Sequence, residues 1–281
     1  MEKREKRLGG AANVALNIQA LGAIPIPCAV IGDDEAGEFF LNRLAEKEIP
    51  RDGIVMSASR QTTVKERVLS NDKHVLRVDT ETDKELDPDE QKQLLTKVKG
   101  LLAKSHVVIF QDYDKGVLNP VVISEIVNEA TRLGIPTIVD PKKRNFLSYE
   151  GVTLFKPNLK ELREGQKVEV DPSKLESLKS GVSSLLKNCN QVMVTLSEHG
   201  VFIQSKSESF QIPAHPRKII DVSGAGDTVV SIAALALALG LSSDQIAAIS
   251  NLGGGLVCEH VGVVPINKED LLREVERIAL F

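Results

Sequence analysis

Residues 221–228, with the sequence DVSGAGDT, combine residue types suited to phosphate chemistry. Gly224, Ala225 and Gly226 form a small-residue turn before an apolar segment that predicts a helix. Bare backbone N–H groups would therefore face a ligand at the positive end of the helix dipole. Asp227, in the predicted first turn, could take a proton from an attacking hydroxyl at the same place. The segment predicts a site for a phosphate, or for the charge that develops during phosphoryl transfer.

The same residues allow a simpler interpretation. The glycines could only make a tight turn, and Asp227 could only stabilise the helix N-terminus by about 0.3–1 kcal/mol. The pattern matches neither the P-loop GxxxxGK[ST] nor the dinucleotide-binding GxGxxG. A P-loop kinase and a nicotinamide-dependent enzyme are therefore disfavoured.

A second glycine pair, Gly9 and Gly10, precedes another predicted helix in the sequence GGAAN. Small residues let a backbone approach a ligand closely. Asn13, which ends this sequence, can both donate to and accept from a sugar hydroxyl. An N-capping turn is the alternative, and the spacing alone is compatible with both interpretations.

Polar side chains follow four predicted strands at the point where each strand ends. Residues 107–110 are followed by Gln111, Asp112, Tyr113, Asp114, Lys115 and Gly116, residues 135–139 by Asp140, Pro141, Lys142 and Lys143, residues 152–155 by Lys156, Pro157, Asn158 and then Glu161, and residues 192–196 by Ser197, Glu198 and Gly200. Ligands of open parallel sheets bind beyond the carboxyl ends of the strands. The sequence therefore predicts a polar crevice that suits anionic ligands and a metal ion.

Apolar periodicity alternates between the helical and the strand template over most of the chain. Residues 11–21 and 37–44 have helical spacing, whereas residues 26–31 and the four segments above predict buried strands. Repeated strand–helix units with uninterrupted apolar strands predict an α/β fold with three layers, in which helices cover both faces of a mostly parallel sheet.

Residues 57–80 depart from this repetition. Residues 63–69 alternate in polarity, and a second short strand around residues 75–78 follows the turn Ser70-Asn71-Asp72-Lys73. Two such strands between βα units predict a small β lid, with Lys65 and Arg67 on one strand face. An exposed charged strand face is the alternative interpretation.

Composition excludes several functions. Lys plus Arg number 35 against 39 Asp plus Glu, a formal net charge of −4, and aromatic residues make up only 4%. No basic block offers a nucleic-acid surface. The most apolar run, residues 229–241, is shorter than the roughly twenty residues that span a bilayer. Cys28, Cys189 and Cys258 form no CxxC pair, which disfavours a disulfide framework or a zinc site and favours the reducing cytoplasm as the location.

With both glycine motifs in view, the chain resembles the ribokinase-like (PfkB) family of carbohydrate kinases. Gly10, Asn13, Ala15, Gly22 and Gly32 match the amino-terminal signature, and residues 221–227 match the carboxyl-terminal one. The resemblance implies a single ribokinase-like domain over residues 1–281, with residues 57–80 as part of the β lid. Relatives begin with a strand that carries a sugar-binding Asp, so the resemblance also implies that this first strand is missing at the N-terminus.

Within the family, several stretches resemble the heptose-7-phosphate kinases of ADP-heptose synthesis. They are residues 7–13, 63–68, 112–116 and 140–142. This resemblance implies ATP-dependent, Mg²⁺-supported phosphorylation of the anomeric hydroxyl of D-glycero-D-manno-heptose 7-phosphate in a homodimer. The alternatives are a kinase for another sugar or sugar phosphate, such as ribose or fructose 1-phosphate, and a catalytically silent relative that binds nucleotide or sugar.

The resemblance also implies roles for individual residues. Asp227 matches the catalytic base, and Gly224, Ala225 and Gly226 match the anion hole. Asn158 and Glu161 match the NxxE motif that supports magnesium, through water, and phosphate. Thr195, Ser197 and Gly200 match the loop near the nucleotide phosphates, and Asn251 and Gly262 fall where relatives flank the adenine. Substrate contacts are implied for Gly10, Asn13, Lys65, Arg67, Asp112, Lys115 and Lys142, the four basic residues being candidates for the substrate's own phosphate.

Overall fold

A computed structural model of the chain describes residues 5–70 and 73–278. In this part of the chain the helices are α1 (Ala11–Ala20), α2 (Glu35–Glu46), α3 (Pro88–Leu102), α4 (Pro120–Arg132), α5 (Leu159–Gln166), α6 (Leu175–Val182), α7 (Ala225–Ala238), α8 (Ser243–Val257) and α9 (Lys268–Arg277). The strands are β1 (Ala29–Gly32), β2 (Ile54–Ser57), β3 (Val64–Ser70), β4 (Lys73–Thr80), β5 (Val108–Gln111), β6 (Thr137–Asp140), β7 (Leu154–Phe155), β8 (Gln191–Thr195), β9 (Val201–Ser205) and β10 (Ser209–Ile212). No helix of these residues is long and apolar enough to cross a bilayer.

The largest sheet has the strand order β10-β9-β8-β7-β6-β5. The four strands β5 to β8 pair in parallel, as predicted, and each lies within two residues of its predicted bounds. β9 and β10 extend the sheet in antiparallel fashion, which the sequence interpretation did not include. The sheet is therefore mostly parallel with an antiparallel edge.

Alternation along the buried strands divides the core between the two faces of this sheet. Ile138 and Met193 pack with residues of α1, α7 and α8 on one face. Their chain neighbours Val139 and Val192 point the other way and pack with α3, α4, α5 and α6. Helices thus cover both faces, which gives the three layers predicted from the uninterrupted apolar strands.

β1 and β2 form a separate parallel pair in which Ala29 lies opposite Ile54. The predicted strand over residues 26–31 is wrong at its beginning, because β1 starts at Ala29. Pro25 and Pro27 have no backbone N–H to donate to a neighbouring strand, so regular pairing begins only after them.

β3 and β4 form an antiparallel hairpin where the sequence predicts the lid. The second strand is longer than the predicted residues 75–78, and Asn71 and Asp72 of the predicted turn lie outside the described residues. Lys65 and Arg67 share one face of the hairpin, since they lie two residues apart on β3. The register places Lys65 opposite Asp79 and Arg67 opposite Arg77.

Candidate functional site

The N-terminus of α7 opens into the space beyond the carboxyl ends of β5 and β6. Gly224 precedes the helix with φ 84°, a left-handed conformation that glycine adopts without strain. A Cβ there would also lie 2.9 Å from the Cγ1 atom of Val263. Ala225 begins the helix, and Gly226 is exposed, with no described atom within 4 Å of the position a Cβ would take. The Ala225 N–H donates to the Val222 carbonyl oxygen at 3.3 Å, so within the first turn of α7 the N–H groups of Gly226 and Asp227 are the ones that remain for a ligand.

Asp227 stands beside these N–H groups and is held by three side chains. The Asn13 Nδ2 atom donates to its Oδ2 atom at 3.2 Å, while the Tyr113 hydroxyl and the Gln111 Nε2 atom donate to Oδ1 at 3.2 and 3.3 Å. Burial raises the pKa of this carboxyl, against the effect of the hydrogen bonds from Asn13 and Tyr113. The carboxylate is therefore fixed next to a helix N-terminus, with its tendency to accept a proton increased.

A second carboxylate, Asp140, lies at the end of β6. The Gln111 Nε2 atom donates to both carboxylates, with Asp140 Oδ2 at 3.2 Å. Lys156 is only 2% exposed, and its Nζ atom lies 3.4 Å from Asp140 Oδ1. A buried ammonium group is costly without such a partner. Gln111 thus joins two anions that would otherwise repel each other.

The NxxE residues lie at the start of α5. Asn158 and Glu161 form a capping box, in which Asn158 Oδ1 accepts from the Glu161 N–H at 2.8 Å and Glu161 Oε2 accepts from the Asn158 N–H at 2.9 Å. Lys142 donates to the other carboxylate oxygen of Glu161, and its Nζ atom lies 3.5 Å from Asp140 Oδ1. Burial alone would lower the pKa of Lys142, but the two carboxylates outweigh it and raise that pKa.

Thr195 ends β8 beside Asn158, to which it is bridged as in a parallel sheet. Ser197 follows with φ 54°, and Gly200 closes the turn with φ 83°. A Cβ at Gly200 would overlap the carbonyl oxygen of Ile212, so the two backbone segments touch there. The predicted phosphate loop and the NxxE residues are therefore neighbours.

The two residues predicted to flank an adenine are tied to loops before α7. The Asn251 Nδ2 atom on α8 donates to the Pro213 carbonyl oxygen at 2.8 Å. The Gly262 N–H donates to Asp221 Oδ2 at 2.9 Å, and Asp221 Oδ1 accepts from the Ser223 N–H at 2.9 Å. Asp221, the first residue of the carboxyl-terminal motif, thus connects that motif to the loop around Gly262.

The amino-terminal motif lies across Asp227 from Gln111. Gly10 precedes α1 with φ 58°, and a Cβ there would lie 3.7 Å from the Tyr113 ring. Asn13, in the first turn of α1, directly contacts Asp227. The structure therefore brings both glycine motifs to one place, although more than 200 residues separate Asn13 and Asp227.

Asp112 does not fit its predicted contact with substrate. It is 2% exposed, and its carboxylate accepts from the Tyr149 hydroxyl at 2.8 Å and from the Asp114 N–H at 2.7 Å. Its oxygen atoms are occupied inside the protein. Asp112 therefore holds the loop after β5, while its neighbour Tyr113 reaches the site.

The four basic residues proposed for the substrate phosphate fall into different places. Lys65 and Lys115 converge on Glu81, with Nζ–Oε distances of 2.9 and 2.6 Å. Lys142 lies instead with Glu161 and Asp140, on the side of the NxxE residues. Arg67 has an exposed side chain farther along the hairpin than Lys65.

Several residues of the site had no predicted role. The sequence interpretation noted Gln111, Tyr113, Asp140 and Lys156 among the polar residues after strands, without assigning functions to them. Their signal was their position directly after a strand of the parallel sheet. Glu81 gave no such signal, because it follows the hairpin.

The residues at the site fit a magnesium ion only indirectly. In the described part of the chain, no group of three or more His, Cys, Asp or Glu side chains could hold a metal ion. Both carboxylate oxygens of Glu161 already accept hydrogen bonds, as does the Asn158 side-chain oxygen. Since Mg²⁺ retains several waters and prefers phosphate oxygens, these residues suit an ion carried by a nucleotide and contacted through water.

Comparisons with known proteins identify relatives in sequence and in fold. A bifunctional protein HldE from Paramagnetospirillum magneticum is 36% identical over 285 residues, covering 96% of this chain and 58% of the relative. The chain thus spans little more than half the length of that relative. Phosphofructokinase-2 from Escherichia coli in complex with potassium superposes with a TM-score of 0.82 at 20% identity, covering 99% of this chain and 93% of that one. Arabidopsis thaliana ribokinase complexed with ribose and ATP superposes with a TM-score of 0.74 at 17% identity, covering 94% of this chain and 86% of that one.

The superpositions confirm the ribokinase-like fold. In this fold, a carboxylate at the first turn of a helix is suited to phosphoryl transfer to an alcohol group. The model of the pfkB family of carbohydrate kinases matches residues 1–270, and the chain belongs to that family.

Proposed function

We propose that the protein transfers the γ-phosphoryl group of ATP to the anomeric hydroxyl of D-glycero-D-manno-heptose 7-phosphate, giving the 1,7-bisphosphate. The observation that carries the proposal is the position of Asp227, held by Asn13, Gln111 and Tyr113 beside open N–H groups. The choice of substrate is supported by the 36% sequence identity with a bifunctional protein HldE and by the stretches that resemble heptose-7-phosphate kinases.

The proposed reaction needs one base and one anion site. Asp227 takes the proton of the acceptor hydroxyl as its oxygen attacks the γ-phosphorus, and the bond between that phosphorus and the β–γ bridging oxygen breaks to release ADP. The N–H groups of Gly224, Gly226 and Asp227 stabilise the negative charge on the transferring phosphoryl group, since the Ala225 N–H donates to the Val222 carbonyl oxygen. Gln111 keeps Asp227 and Asp140 at separate positions, so that each carboxylate retains its own orientation.

The substrates would approach from opposite sides of Asp227. Gly10 and Asn13 border the sugar side. Thr195, Ser197 and Gly200, with Asn251 and Gly262, border the nucleotide side. Asn158 and Glu161 would contact Mg²⁺ through water, and the ion would neutralise the nucleotide phosphates during transfer. ATP and sugar phosphates are cytoplasmic metabolites, which supports the cytoplasm as the location.

A substrate panel with radiolabelled ATP tests the proposal. Heptose 7-phosphate, ribose, fructose 1-phosphate and unphosphorylated heptose are offered separately, and the labelled product is identified. The proposal expects the highest kcat/KM for heptose 7-phosphate, with the label on the anomeric oxygen. Faster turnover of another sugar would contradict the proposed substrate and identify that sugar instead. Nucleotide binding without any turnover would identify a catalytically silent relative.

The pH dependence of this turnover should reflect the environment of Asp227. Its raised pKa means that the base becomes protonated, and kcat/KM falls, at a pH above the usual range for Asp. Gln111→Glu adds a third carboxylate beside Asp227 and Asp140, which should move the acidic limb to still higher pH. Gln93→Glu, an exposed change on α3, should leave the profile unchanged. Coincident profiles for Gln111→Glu and the wild type would contradict the proposed environment of the base.

We further propose that the protein forms a homodimer through the β3–β4 hairpin. One hairpin face carries the exposed apolar side chains of Val68, Leu76 and Val78, an unusual surface for an isolated two-stranded sheet. A second copy of the hairpin would cover this face. Leu76→Lys should convert the dimer to a monomer in light scattering, whereas Val121→Lys, at an exposed apolar position on α4, should not. A wild-type monomer at micromolar concentration would contradict the proposal.

A further inference from the structure

Glu81, the first residue after β4, bridges two lysines that come from different elements. The Lys65 Nζ atom on β3 lies 2.9 Å from Glu81 Oε2, and the Lys115 Nζ atom on the loop after β5 lies 2.6 Å from Oε1. Each carboxylate oxygen therefore accepts from one ammonium group. Lys65 also contacts Asp79 Oδ2 at 3.1 Å. These three residues, Lys65, Glu81 and Lys115, are called the Glu81 bridge below.

The Glu81 bridge is connected to the proposed reacting centre through the loop after β5. Lys115 is two residues from Tyr113, whose hydroxyl donates to Asp227. Two residues of chain span at most about 7 Å between Cα atoms. The loop after β5 therefore leads from the carboxylate at the mouth of α7 to the lysine pair.

The lysine pair suits a phosphate monoester better than it suits a carboxylate. A phosphate carries about −1.5 to −2 charges at neutral pH and has three acceptor oxygens. Lysine ammonium groups bind phosphate as point charges, each through one or more oxygens. Lysine ammonium groups are charged at neutral pH, and the hydrogen bond with Glu81 raises the pKa of Lys65 further. The Glu81 carboxylate thus neutralises two ammonium groups with a single negative charge, about half the charge of a phosphate monoester.

We propose that Glu81 occupies, in the ligand-free protein, the place of the phosphate group that the substrate carries away from its reacting hydroxyl. The incoming phosphate displaces the Glu81 carboxylate from Lys65 and Lys115. This proposal rests on the proposed function in so far as it takes the substrate to be a sugar phosphate. An unphosphorylated sugar has no group that could pair with the two ammonium groups, so the lysine pair favours phosphorylated substrates, while competition from Glu81 lowers their affinity.

Displacement also changes how the hairpin is attached. The residues directly after Glu81 are fixed, because Arg60 donates to the Lys84 carbonyl oxygen at 2.7 Å and Arg144 donates to the Asp83 carbonyl oxygen at 2.8 Å. The Glu81–Lys115 contact joins the end of the hairpin to the loop after β5. A phosphate that binds both lysines replaces this contact and keeps the hairpin and the loop together around the substrate.

The variant Glu81→Gln tests the proposal, with Asp83→Asn as its matched control. Asp83 is an exposed carboxylate two residues away, and it pairs with Arg144 instead of a lysine. Glu81→Gln should lower KM for the sugar phosphate about three- to tenfold, the size expected when two partly exposed ion pairs no longer compete. Its kcat, its KM for ATP and its KM for the unphosphorylated sugar should change less than about twofold, and Asp83→Asn should resemble the wild type throughout. An unchanged or higher KM for the sugar phosphate would overturn the proposal.

Calorimetry with inorganic phosphate keeps this test independent of the proposed function. Inorganic phosphate should bind Glu81→Gln more tightly than the wild type, by a factor similar to the change in KM, whatever sugar the enzyme uses. Adding Lys115→Met to Glu81→Gln should remove that gain, and thermal melting checks that each variant is folded. Equal binding of inorganic phosphate by folded Glu81→Gln and wild type would contradict the proposal that Glu81 competes with a phosphate for the two lysines. This would hold even if heptose 7-phosphate proved to be the substrate. If the substrate panel failed while this difference remained, only the choice of sugar would be wrong.

Discussion

Asp227→Asn should reduce kcat by about 10²–10⁴-fold, the contribution expected of a positioned general base. The amide has nearly the same shape as the carboxylate but cannot take the proton of the acceptor hydroxyl. The backbone N–H groups of the preceding residues are unchanged. The dissociation constant of ATP, measured by calorimetry, should therefore change less than about threefold. Turnover within tenfold of the wild type would remove Asp227 from the proposed mechanism.

The control for this variant is Asp244→Asn in the first turn of α8. Asp244 is also a carboxylate at a helix N-terminus, so its replacement costs the same type of helix-dipole energy, about 0.3–1 kcal/mol. It should leave kcat unchanged. If both variants lost activity equally, Asp227 would act only as a helix-terminal charge.

The variant Asp227→Asn should not lower the stability of the protein. Burial raises the pKa of Asp227 in the folded state, so the folded protein binds a proton at this site more tightly than the unfolded chain does. Its contribution to stability is present at low pH and is lost as the pH rises through the raised pKa. At neutral pH the buried charge therefore opposes folding. Its removal offsets the loss of the helix-terminal charge, so Asp227→Asn should melt at the same temperature as the wild type or higher. A clear decrease in Tm would contradict this account of the carboxyl.

Gly200→Ala should be the most destabilising of the single changes considered. Gly200 has φ 83° in the turn after β8, and a Cβ there would overlap the backbone at the end of β10, at the Ile212 carbonyl oxygen. The backbone conformation alone costs a non-glycine residue about 1–3 kcal/mol, and the overlap with backbone adds to this because no side chain can rotate away. We expect Tm to fall by roughly 5 °C or more in differential scanning calorimetry. KM for ATP should also rise, since the turn borders the proposed nucleotide side.

Gly134→Ala separates the two causes. Gly134 has φ 69°, also in the left-handed region, but a Cβ there would have no described heavy atom within 4 Å. This variant should show only the smaller loss that comes from backbone conformation, with KM for ATP unchanged. Equal decreases in Tm for the two variants would mean that the close approach of Gly200 to Ile212 contributes nothing.

Much of the fold could be predicted from local patterns. The parallel strands β5 to β8 are short apolar runs. Successive residues of each strand face opposite helical layers, so both faces are buried and apolar composition alone predicts the strand. The antiparallel strand β9 was missed, although a signal for it existed. Residues 196–200, which separate β8 from β9, are too few for the helical crossover that a parallel strand needs.

The candidate site could be predicted in part, for a similar reason. Gly224 and Asp227 adjoin an apolar helix, so their positions follow from the chain around them. Asp112 and Tyr113 are also neighbours after the same strand, yet one is enclosed by Tyr149 and the other reaches Asp227. Spacing along a loop does not decide which side chain turns inward, because that depends on what the distant helices and loops offer as partners.

Local sequence alone placed a carboxylate beside the N–H groups of α7 and polar residues after each parallel strand, because backbone geometry and side-chain alternation operate over a few residues. Only the tertiary structure decided that Lys142 pairs with Glu161 while Lys65 and Lys115 share Glu81. These pairings join charges from separate elements. Coulomb attraction between them acts only after the hydrophobic layers have brought the elements within a few ångströms of one another.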